Sequence, residues 1–254
     1  MATQIVNDRR FYYTQPGKSP GGPGLLLVHG AGGSHLDWPR EIQRLPGLNV
    51  YNIDLPGHGR SEGTGYDEIS AYARDVDAFA VAMGLSDICV AGHSMGGAVA
   101  QSLALKRPPW LSSVVLIGTG AHLPVSPQIL QGLQTDVVDA VNLIMRFAWR
   151  RESSPELVEL TGETMLAGDN KLLQKDFLAC DRFDLRAQLG EVDIPVLVIC
   201  GSDDRMTPAA FGRTLAEGIP GARLVIIKNA GHYVTLEQPQ AVADVISTFI
   251  TDQH

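Results

Sequence analysis

Short apolar runs alternate with helical stripes along the chain. The runs are four or five residues long, rich in Val, Ile and Leu, and mostly bounded by Gly, Pro or Asp. Such runs are typical of strands that are buried on both faces of a parallel sheet. They occupy positions 25–28, 50–53, 88–91, 114–117, 196–200 and 224–227.

The segments between these runs have the spacing of amphipathic helices. The clearest stripe places apolar residues three and four apart from Ile69 to Met83 and stops at Gly84. Further helices are predicted directly after Ser94, from Pro208 with Thr207 as the N-cap, and over 241–250. Alternation of strand and helix predicts an α/β fold with a doubly wound, mostly parallel sheet and right-handed crossovers.

Two regions depart from the alternation. Residues 4–6 and 11–13 flank Asn-Asp, which predicts an antiparallel hairpin at the sheet edge. From 122 to 190 no buried-strand run occurs, and apolar residues such as Leu133, Val137 and Val141 have helical spacing. An insertion at the carboxyl end of a parallel sheet lies over its ligand-binding crevice, so we expect a lid here, with an ordinary long crossover as the alternative. The expected organisation is a core domain of residues 1–121 and 191–254 with a helical cap over 122–190.

Composition and charge narrow the function classes. A composition of 44% apolar and 19% charged residues is typical of a globular protein. The length of 254 residues is enough for one α/β domain with a lid. Twenty basic against 28 acidic residues give a net charge of −8 without a basic run, so neither a nucleic acid nor a membrane is an expected partner. The N-terminal residues lack the apolar core of a signal peptide, and no run reaches about 18 apolar residues, so a cytoplasmic protein is expected.

The cysteines and histidines do not predict a metal or a cofactor. Three cysteines at wide spacing indicate neither a disulfide framework nor a zinc site, and the seven histidines form no ligand-spaced pair. Cys89 and Cys200 are expected to be core thiols within strands, and Cys180 has no neighbouring histidine to activate it. Glycine is abundant, at 27 residues, and many glycines follow the predicted strands.

One of these glycine clusters surrounds a serine. Residues 92–97 read Gly-His-Ser-Met-Gly-Gly between a buried strand and a helix. A serine on a sharp strand-to-helix turn is strained and needs small residues two positions before and after it, which Gly92 and Gly96 provide. The turn exposes Ser94 at a helix N-terminus, where the helix dipole stabilises a developing oxyanion. Ser94 is therefore the candidate nucleophile.

A second cluster follows the first parallel strand. Residues 29–33 read His-Gly-Ala-Gly-Gly, and the glycines let the backbone approach a bound carbonyl. The backbone N–H groups of Ala31 and Met95 are the predicted oxyanion donors. A phosphate loop is rejected because the Gly-Lys-Ser/Thr ending and the third glycine of a dinucleotide fingerprint are missing.

The remaining groups of a catalytic triad follow the last two strands. A serine needs a general base near neutral pH, and the base needs a carboxylate that orients it. Asp204, in Gly-Ser-Asp-Asp at 201–204, and His232, in Gly-His, occupy suitable positions. The same three groups occur in different chain orders on unrelated folds, and the order serine, acid, histidine is found on one type of α/β sheet.

The sequence resembles the α/β-hydrolase superfamily, in its esterase and lipase branch. The resemblance runs from about residue 25 to 250 and rests on five motifs in order. They are Leu-Val-His-Gly-Ala-Gly-Gly-Ser at 27–34 with Trp38, Asp-Leu-Pro-Gly-His-Gly-Arg-Ser at 54–61, the Ser94 turn, Gly-Ser-Asp-Asp at 201–204 with Pro208, and Ala-Gly-His at 230–232 with Glu-Gln-Pro at 237–239.

The resemblance implies an eight-stranded, mostly parallel sheet with a helical cap after the sixth strand, and acyl transfer to water through a covalent Ser94 intermediate. It also implies that the acid is Asp204, with Asp203 as the competing candidate. For His58, His29 and His93 we expect packing or structural hydrogen bonding rather than catalysis, with His93 pointing away from the pocket.

The leading hypothesis is a hydrolase of small or medium-sized carboxylic esters. Serine at the turn argues against epoxide hydrolases and haloalkane dehalogenases, which resemble this chain but carry Asp there. A C–C bond hydrolase is less favoured because Ala-Gly-Gly-Ser follows His-Gly at 31–34, and a lactonase stays open. A small-molecule receptor on the same fold is the alternative from another class. Met145, Phe147, Trp149 and Met165 of the cap are the candidate lining residues of a receptor pocket or of a substrate pocket, with packing inside the cap as the favoured alternative for them.

Overall fold

The computed structural model describes residues 2–253 and places eight strands in one sheet. The strand order is β1-β2-β4-β3-β5-β6-β7-β8, with β2 antiparallel to β1 and β4 and the other pairs parallel. The strands are β1 (Ala2–Val6), β2 (Arg9–Gly17), β3 (Gly24–Val28), β4 (Asn49–Ile53), β5 (Ile88–His93), β6 (Leu111–Ile117), β7 (Val196–Gly201) and β8 (Arg223–Ile227).

The six apolar runs all lie within strands of this sheet, which confirms the predicted fold class. Every residue of β3, β5 and β7 is buried, as expected for strands covered on both faces. The predicted hairpin forms β1 and β2 at the sheet edge. Its turn residues Asn7 and Asp8 have φ values of 49° and 61°, and Asn and Asp tolerate this left-handed conformation.

Ten helices are described, together with short 3₁₀ turns at His35–Asp37 and Arg186–Glu191. The helices are α1 (Arg40–Gln43), α2 (Ile69–Ala82), α3 (Met95–Lys106), α4 (Pro127–Thr135), α5 (Val137–Ala148), α6 (Pro155–Leu166), α7 (Asn170–Asp181), α8 (Ala209–Gly218), α9 (Val234–Glu237) and α10 (Pro239–Thr251). Within residues 2–253 no helix is both long and apolar enough to span a lipid bilayer.

Helices cover both faces of the sheet because alternate strand residues point in opposite directions. Leu26 and Val28 of β3 belong to the core on one face, with apolar residues of α2, α3 and α8. Leu25 and Leu27 belong to the core on the other face, with apolar residues of α1 and α10. The sheet is thus doubly wound. Because these helices cover its faces, the loops at the carboxyl ends of the parallel strands are where a ligand site is expected.

The predicted start of α8 is wrong. Helix α8 begins at Ala209, its N-cap is Pro208, and no side chain caps it. The Thr207 hydroxyl donates to Asp204 Oδ2 at 2.8 Å instead, because that carboxylate lies within the same turn. The Thr207 hydroxyl therefore bonds a side chain of the same turn and not the backbone at the start of α8.

Four helices, α4 to α7, lie between β6 and β7, in the region predicted to be helical. We call residues 122–190 the helical insertion. Its base is closed by an antiparallel bridge between His122 and Asp184. Its apolar side chains form a third core, which includes Ile144 and Phe177 and extends to Tyr233 after β8. The insertion therefore packs directly on the loops at the carboxyl edge of the sheet.

Candidate active site

Ser94 lies alone between β5 and α3, with φ 53° and ψ −115°. A non-glycine residue in this region of backbone conformation is strained and must be held by its surroundings. The neighbouring backbone is packed too closely for side chains: a Cβ on Gly92 would lie 2.0 Å from Gly96 O, and a Cβ on Gly96 would lie 2.2 Å from Val28 O. The two glycines named from the sequence are thus required by close backbone approach.

The Ser94 hydroxyl meets His232, which lies after β8. The distance from Ser94 Oγ to His232 Nε2 is 2.9 Å, and the distance from His232 Nδ1 to Asp204 Oδ2 is 3.0 Å. With the proton on Nδ1, the imidazole donates to the carboxylate and accepts from the serine hydroxyl. The structure brings the three predicted triad side chains into one hydrogen-bonded chain.

Asp204 is the carboxylate in contact with the imidazole, and the competing Asp203 is not. Asp204 is 6% exposed, and its Oδ1 accepts the backbone N–H groups of Met206 and Thr207, each at 2.8 Å. The side chain of Asp203 is 52% exposed and faces Arg150 Nε at 3.4 Å. Burial penalises the Asp204 charge, but His232 and the hydrogen bonds from Thr207 outweigh that penalty and lower the pKa of the carboxyl.

The Thr207 hydroxyl was not anticipated as part of the site. Its Oγ1 donates to Asp204 Oδ2 and lies 3.1 Å from His232 Nδ1, so that it bridges the acid and the base. The hydroxyl thereby fixes the carboxylate and offers a second acceptor to the Nδ1 proton. The sequence gives one signal for this role, which is that Thr207 follows Asp204 by three residues. The same position just before Pro208 also favours an N-cap, and the N-cap was the role predicted for it.

His93 has a larger role than the packing that was expected of it. It lies on the cavity wall, and its Nε2 donates to the backbone carbonyl of His232 at 2.9 Å. The two rings are 5.0 Å apart. Burial, followed by the proximity of His232, lowers the pKa of His93 to about 3, so this ring is neutral. The expectation that it points away from the pocket is therefore corrected.

The loop after β3 runs beside the serine. A Cβ on Gly30 would lie 3.3 Å from Ser94 Cβ, and Ala31 lines the cavity. Within residues 2–253 the N–H groups of Ala31 and Met95 donate no hydrogen bond to another protein group. His29 is structural, as predicted: its Nδ1 donates to Gly30 O at 2.8 Å, and its Nε2 accepts from Leu55 N at 3.0 Å.

A cavity of about 70 Å³ opens above the Ser94 hydroxyl. The helical insertion contributes most of its apolar wall, namely Leu123, Val125, Ile144, Ala148, Met165 and Phe177.

The predicted substrate contacts from α5 lie elsewhere. Among the described residues, the side chains on the cavity wall do not include Met145, Phe147 or Trp149. Met145 packs inside the insertion, and Phe147 is 38% exposed beneath the Arg205 guanidinium. The Trp149 ring stacks on Tyr233 at 4.8 Å. Helical spacing alone does not give the rotation of a helix about its axis, and α5 turns Ile144 and Ala148 toward the cavity.

A carboxyl group also borders the cavity. Asp37 accepts a hydrogen bond from Ser34 N at 3.2 Å. Burial raises the pKa of Asp37 to about 6 despite that hydrogen bond.

Among residues 2–253, no group of three His, Cys, Asp or Glu side chains is placed to hold a metal ion. Cys89, Cys180 and Cys200 are buried free thiols.

Comparisons with known proteins identify a family and several relatives. A sequence model of the alpha/beta hydrolase family matches residues 25–245. The pimeloyl-acyl-carrier-protein methyl ester esterase of Neisseria meningitidis is 28% identical, over 89% of this chain and 93% of that protein. A solved thermophilic esterase is 31% identical with a TM-score of 0.88, over 99% of this chain and 97% of that one. The enol-lactonase of Burkholderia xenovorans is 25% identical with a TM-score of 0.90, over 98% and 100%.

Proposed function

This chain belongs to the alpha/beta hydrolase family, and on that basis we propose that it is a serine hydrolase that cleaves small or medium-sized carboxylic esters through an acyl-enzyme on Ser94. The observation that carries the proposal is the hydrogen-bonded chain from Ser94 through His232 to Asp204, with distances of 2.9 and 3.0 Å. The Ser94 hydroxyl opens into a cavity whose wall is mainly apolar, which suits the acyl part of an ester.

In the acylation step His232 Nε2 takes the proton of the Ser94 hydroxyl while Oγ attacks the ester carbonyl carbon. The carbonyl oxygen becomes an oxyanion, which accepts hydrogen bonds from the N–H groups of Ala31 and Met95. When the tetrahedral intermediate collapses, the C–O bond to the alcohol breaks. The proton on His232 passes to the leaving alkoxide, and the acyl group stays on Ser94.

Deacylation repeats these steps with water as the nucleophile. His232 takes a proton from water, the hydroxide oxygen attacks the acyl carbon, and Ser94 leaves with the proton that the imidazole returns. The carboxylic acid is then released. Asp204 stays ionised throughout, because His232 and Thr207 lower the pKa of its carboxyl. Its negative charge stabilises the imidazolium that forms in each half of the reaction.

We assign the helical insertion, residues 122–190, as the cap of this enzyme, with residues 1–121 and 191–254 as its core domain. The insertion supplies apolar cavity walls such as Ile144, Met165 and Phe177. The Ala148 carbonyl at the end of α5 also accepts the backbone N–H of His232 at 2.8 Å. The cap therefore borders both the substrate and the general base, and it sets the acyl length that fits.

A lactone is the second candidate substrate, because the chain is similar over nearly its whole length to an enol-lactonase. Ring opening uses the same attack of Ser94 and the same oxyanion donors, and the leaving hydroxyl stays attached to the acyl group. We favour esters because the solved thermophilic esterase has the higher sequence identity, at 31%.

The test is turnover by purified enzyme of 4-nitrophenyl esters graded from two to twelve acyl carbons, with γ- and δ-lactones in parallel and Ser94→Ala as the matched control. We expect a maximum at short or medium acyl chains and loss of turnover in the variant. A single slow cycle per molecule, with no steady-state turnover of any ester or lactone, would favour a small-molecule receptor and overturn the proposal.

A further inference from the structure

Asp176, on α7 of the helical insertion, is a fully buried carboxylate outside the triad. It is 0% exposed and accepts three hydrogen bonds from the core side. Its Oδ2 lies 2.8 Å from Gly32 N and 2.7 Å from His58 Nε2, and its Oδ1 lies 2.5 Å from the Tyr72 hydroxyl. A buried charge is expensive unless it is paired and hydrogen-bonded, and here three donors provide that.

The partner His58 carries the compensating charge. Its Nδ1 lies 3.2 Å from the carbonyl oxygen of Pro56, so Nδ1 is a donor, and its Nε2 faces the Asp176 carboxylate. An imidazole that faces a hydrogen-bond acceptor at each nitrogen must carry a proton on both, and this is the protonated, positively charged form. Burial opposes this charge, but Asp176 outweighs it and raises the pKa of His58. The pair is therefore a buried ion pair between the loop after β4 and the insertion.

The third donor belongs to the loop that holds the substrate oxygen. Gly32 directly follows Ala31, and its N–H points at the Asp176 carboxylate. Gly32 has a φ of 64°, and a Cβ there would lie 2.6 Å from Leu173 Cδ1 of α7. Helix α7 thus covers this loop closely and also anchors it by a charged hydrogen bond. Hydrogen bonds to an ionised acceptor are roughly twice as strong as neutral ones.

We propose that Asp176 is a positioning residue, which holds the loop of residues 30–33 through Gly32 so that the Ala31 N–H is aimed at the substrate oxygen. This inference rests on the proposed function, because it concerns the oxyanion of the same reaction. The oxyanion site is complete only while α7 lies on the core, since the carboxylate belongs to the insertion. Seating of the cap and stabilisation of the oxyanion are thereby coupled.

Two substitutions test the inference, Asp176→Ala and Asp176→Asn. The alanine variant removes all three acceptor contacts, and the asparagine variant keeps the size and a neutral acceptor, so it carries the test if the alanine variant does not fold. The matched control is Asp169→Ala. Asp169 is the N-cap of the same helix and accepts Lys171 N at 2.8 Å, but it is exposed and bonds no loop of the site.

Three quantities are measured for each variant. The first is kcat and KM on a 4-nitrophenyl ester, with the enzyme concentration taken as the fraction whose Ser94 a fluorophosphonate labels. The others are the Ki of a trifluoromethyl ketone, which forms a tetrahedral adduct, and Tm. Loss of one oxyanion donor costs on the order of 10²–10³ in kcat, so a misplaced donor should cost about tenfold or more. We expect that loss in Asp176→Ala and a smaller one in Asp176→Asn. KM should stay within about threefold, and the ketone Ki should weaken in parallel with kcat.

The control separates positioning from folding. Asp169→Ala should lower Tm through the lost cap while kcat and the ketone Ki stay at wild-type values. If the Asp176 variants behave like this control, with a lower Tm but unchanged kcat and Ki, the inference is overturned. Absence of both fluorophosphonate labelling and ester turnover in the wild type would instead overturn the proposed function, and the inference with it.

Discussion

His93 Nε2 donates a hydrogen bond of 2.9 Å to the backbone carbonyl of His232. The residue before the candidate nucleophile thus holds the backbone of the candidate base, although the two are 139 positions apart. His232 N donates in turn to Ala148 O of the insertion. The base is therefore fixed from the sheet on one side and from the cap on the other, so its imidazole meets Ser94 without rearrangement.

Replacing His93 by phenylalanine keeps the ring but removes this donor. A buried carbonyl left without its partner costs about 1–3 kcal/mol. We expect a lower Tm and a decrease in kcat of about tenfold, since small displacements of a catalytic group are costly. Steady-state kinetics on an ester and thermal melts check this. His93→Gln keeps a donor and should recover part of the kcat, and a fully active His93→Phe enzyme would contradict the role.

The Thr207 hydroxyl gives a second prediction. Thr207→Val removes the donor that lies 2.8 Å from Asp204 Oδ2 and the oxygen that lies 3.1 Å from His232 Nδ1. We expect kcat to fall roughly fivefold to tenfold, because hydrogen bonds to charged groups contribute about 1.5–3 kcal/mol, of which a part reaches the transition state. Thr207→Ser keeps the hydroxyl and is the matched control. Equal kcat values for the two variants would show that the bridge does not contribute.

Stability should fall as the pH decreases from 6 to 4. Burial lowers the pKa of His29 to about 4 and that of His93 to about 3, whereas an unfolded histidine titrates near 6.5. Near pH 5 the unfolded chain therefore binds about two more protons at these residues than the folded chain does. Asp37 acts oppositely, because its raised pKa of about 6 lets the folded chain bind one proton more. From these three groups the unfolded chain binds about one proton more, which lowers the free energy of unfolding by about 1.4 kcal/mol for each pH unit of acidification, and carboxyls with a lowered pKa such as Asp204 add to the fall near pH 4.

Urea unfolding at pH 4, 5 and 6 measures this slope. The His93→Gln variant provides the comparison, since a side chain that does not titrate removes one of the two histidine contributions. Its free energy of unfolding should fall less steeply over the same interval, by about 1.4 kcal/mol less per pH unit. A wild-type free energy of unfolding that is constant or higher at pH 4 would contradict the neutral, buried state of the two histidines.

The turn around Ser94 should not tolerate a methyl group on its flank. A Cβ on Gly92 would lie 2.0 Å from the backbone oxygen of Gly96, and backbone cannot move away without disturbing α3. We expect Gly92→Ala to lower the free energy of unfolding by about 3 kcal/mol or more, as overpacking in a rigid site does. Gly190→Ala is the control, because nothing lies within 4 Å of its Cβ position. Chemical denaturation of both variants provides the measurement.

The strands and the three hydrogen-bonded side chains of the candidate triad could be predicted from the sequence because their signals are local. A buried strand such as β3 or β5 is a continuous apolar run that ends in glycine, and the turn after it needs small residues around Ser94. The family resemblance then assigned Asp204 and His232 to the same edge of the sheet. These features depend on neighbouring residues and on chain order, both of which a sequence displays.

The contacts between distant segments could not be predicted. Asp176 and His58 are 118 positions apart, and nothing near either residue indicates the other. The cavity wall is a similar case: helical spacing identified α5, but the packing of the insertion turns Ile144 and Ala148 inward, not Met145 and Phe147. Tertiary packing decides such details, because the same amphipathic pattern fits several rotations of a helix.

The most direct test of the central proposal is to trap and locate the acyl group. Wild-type enzyme and Ser94→Ala are mixed with a 4-nitrophenyl ester, quenched in acid within the burst phase, and examined by intact-mass and peptide mass spectrometry. We predict one added acyl mass on Ser94 in the wild type, no adduct in the variant, and a decrease in kcat of about 10⁶ in the variant. Turnover by Ser94→Ala near the wild-type rate, or an acyl group on another residue, would contradict the proposal.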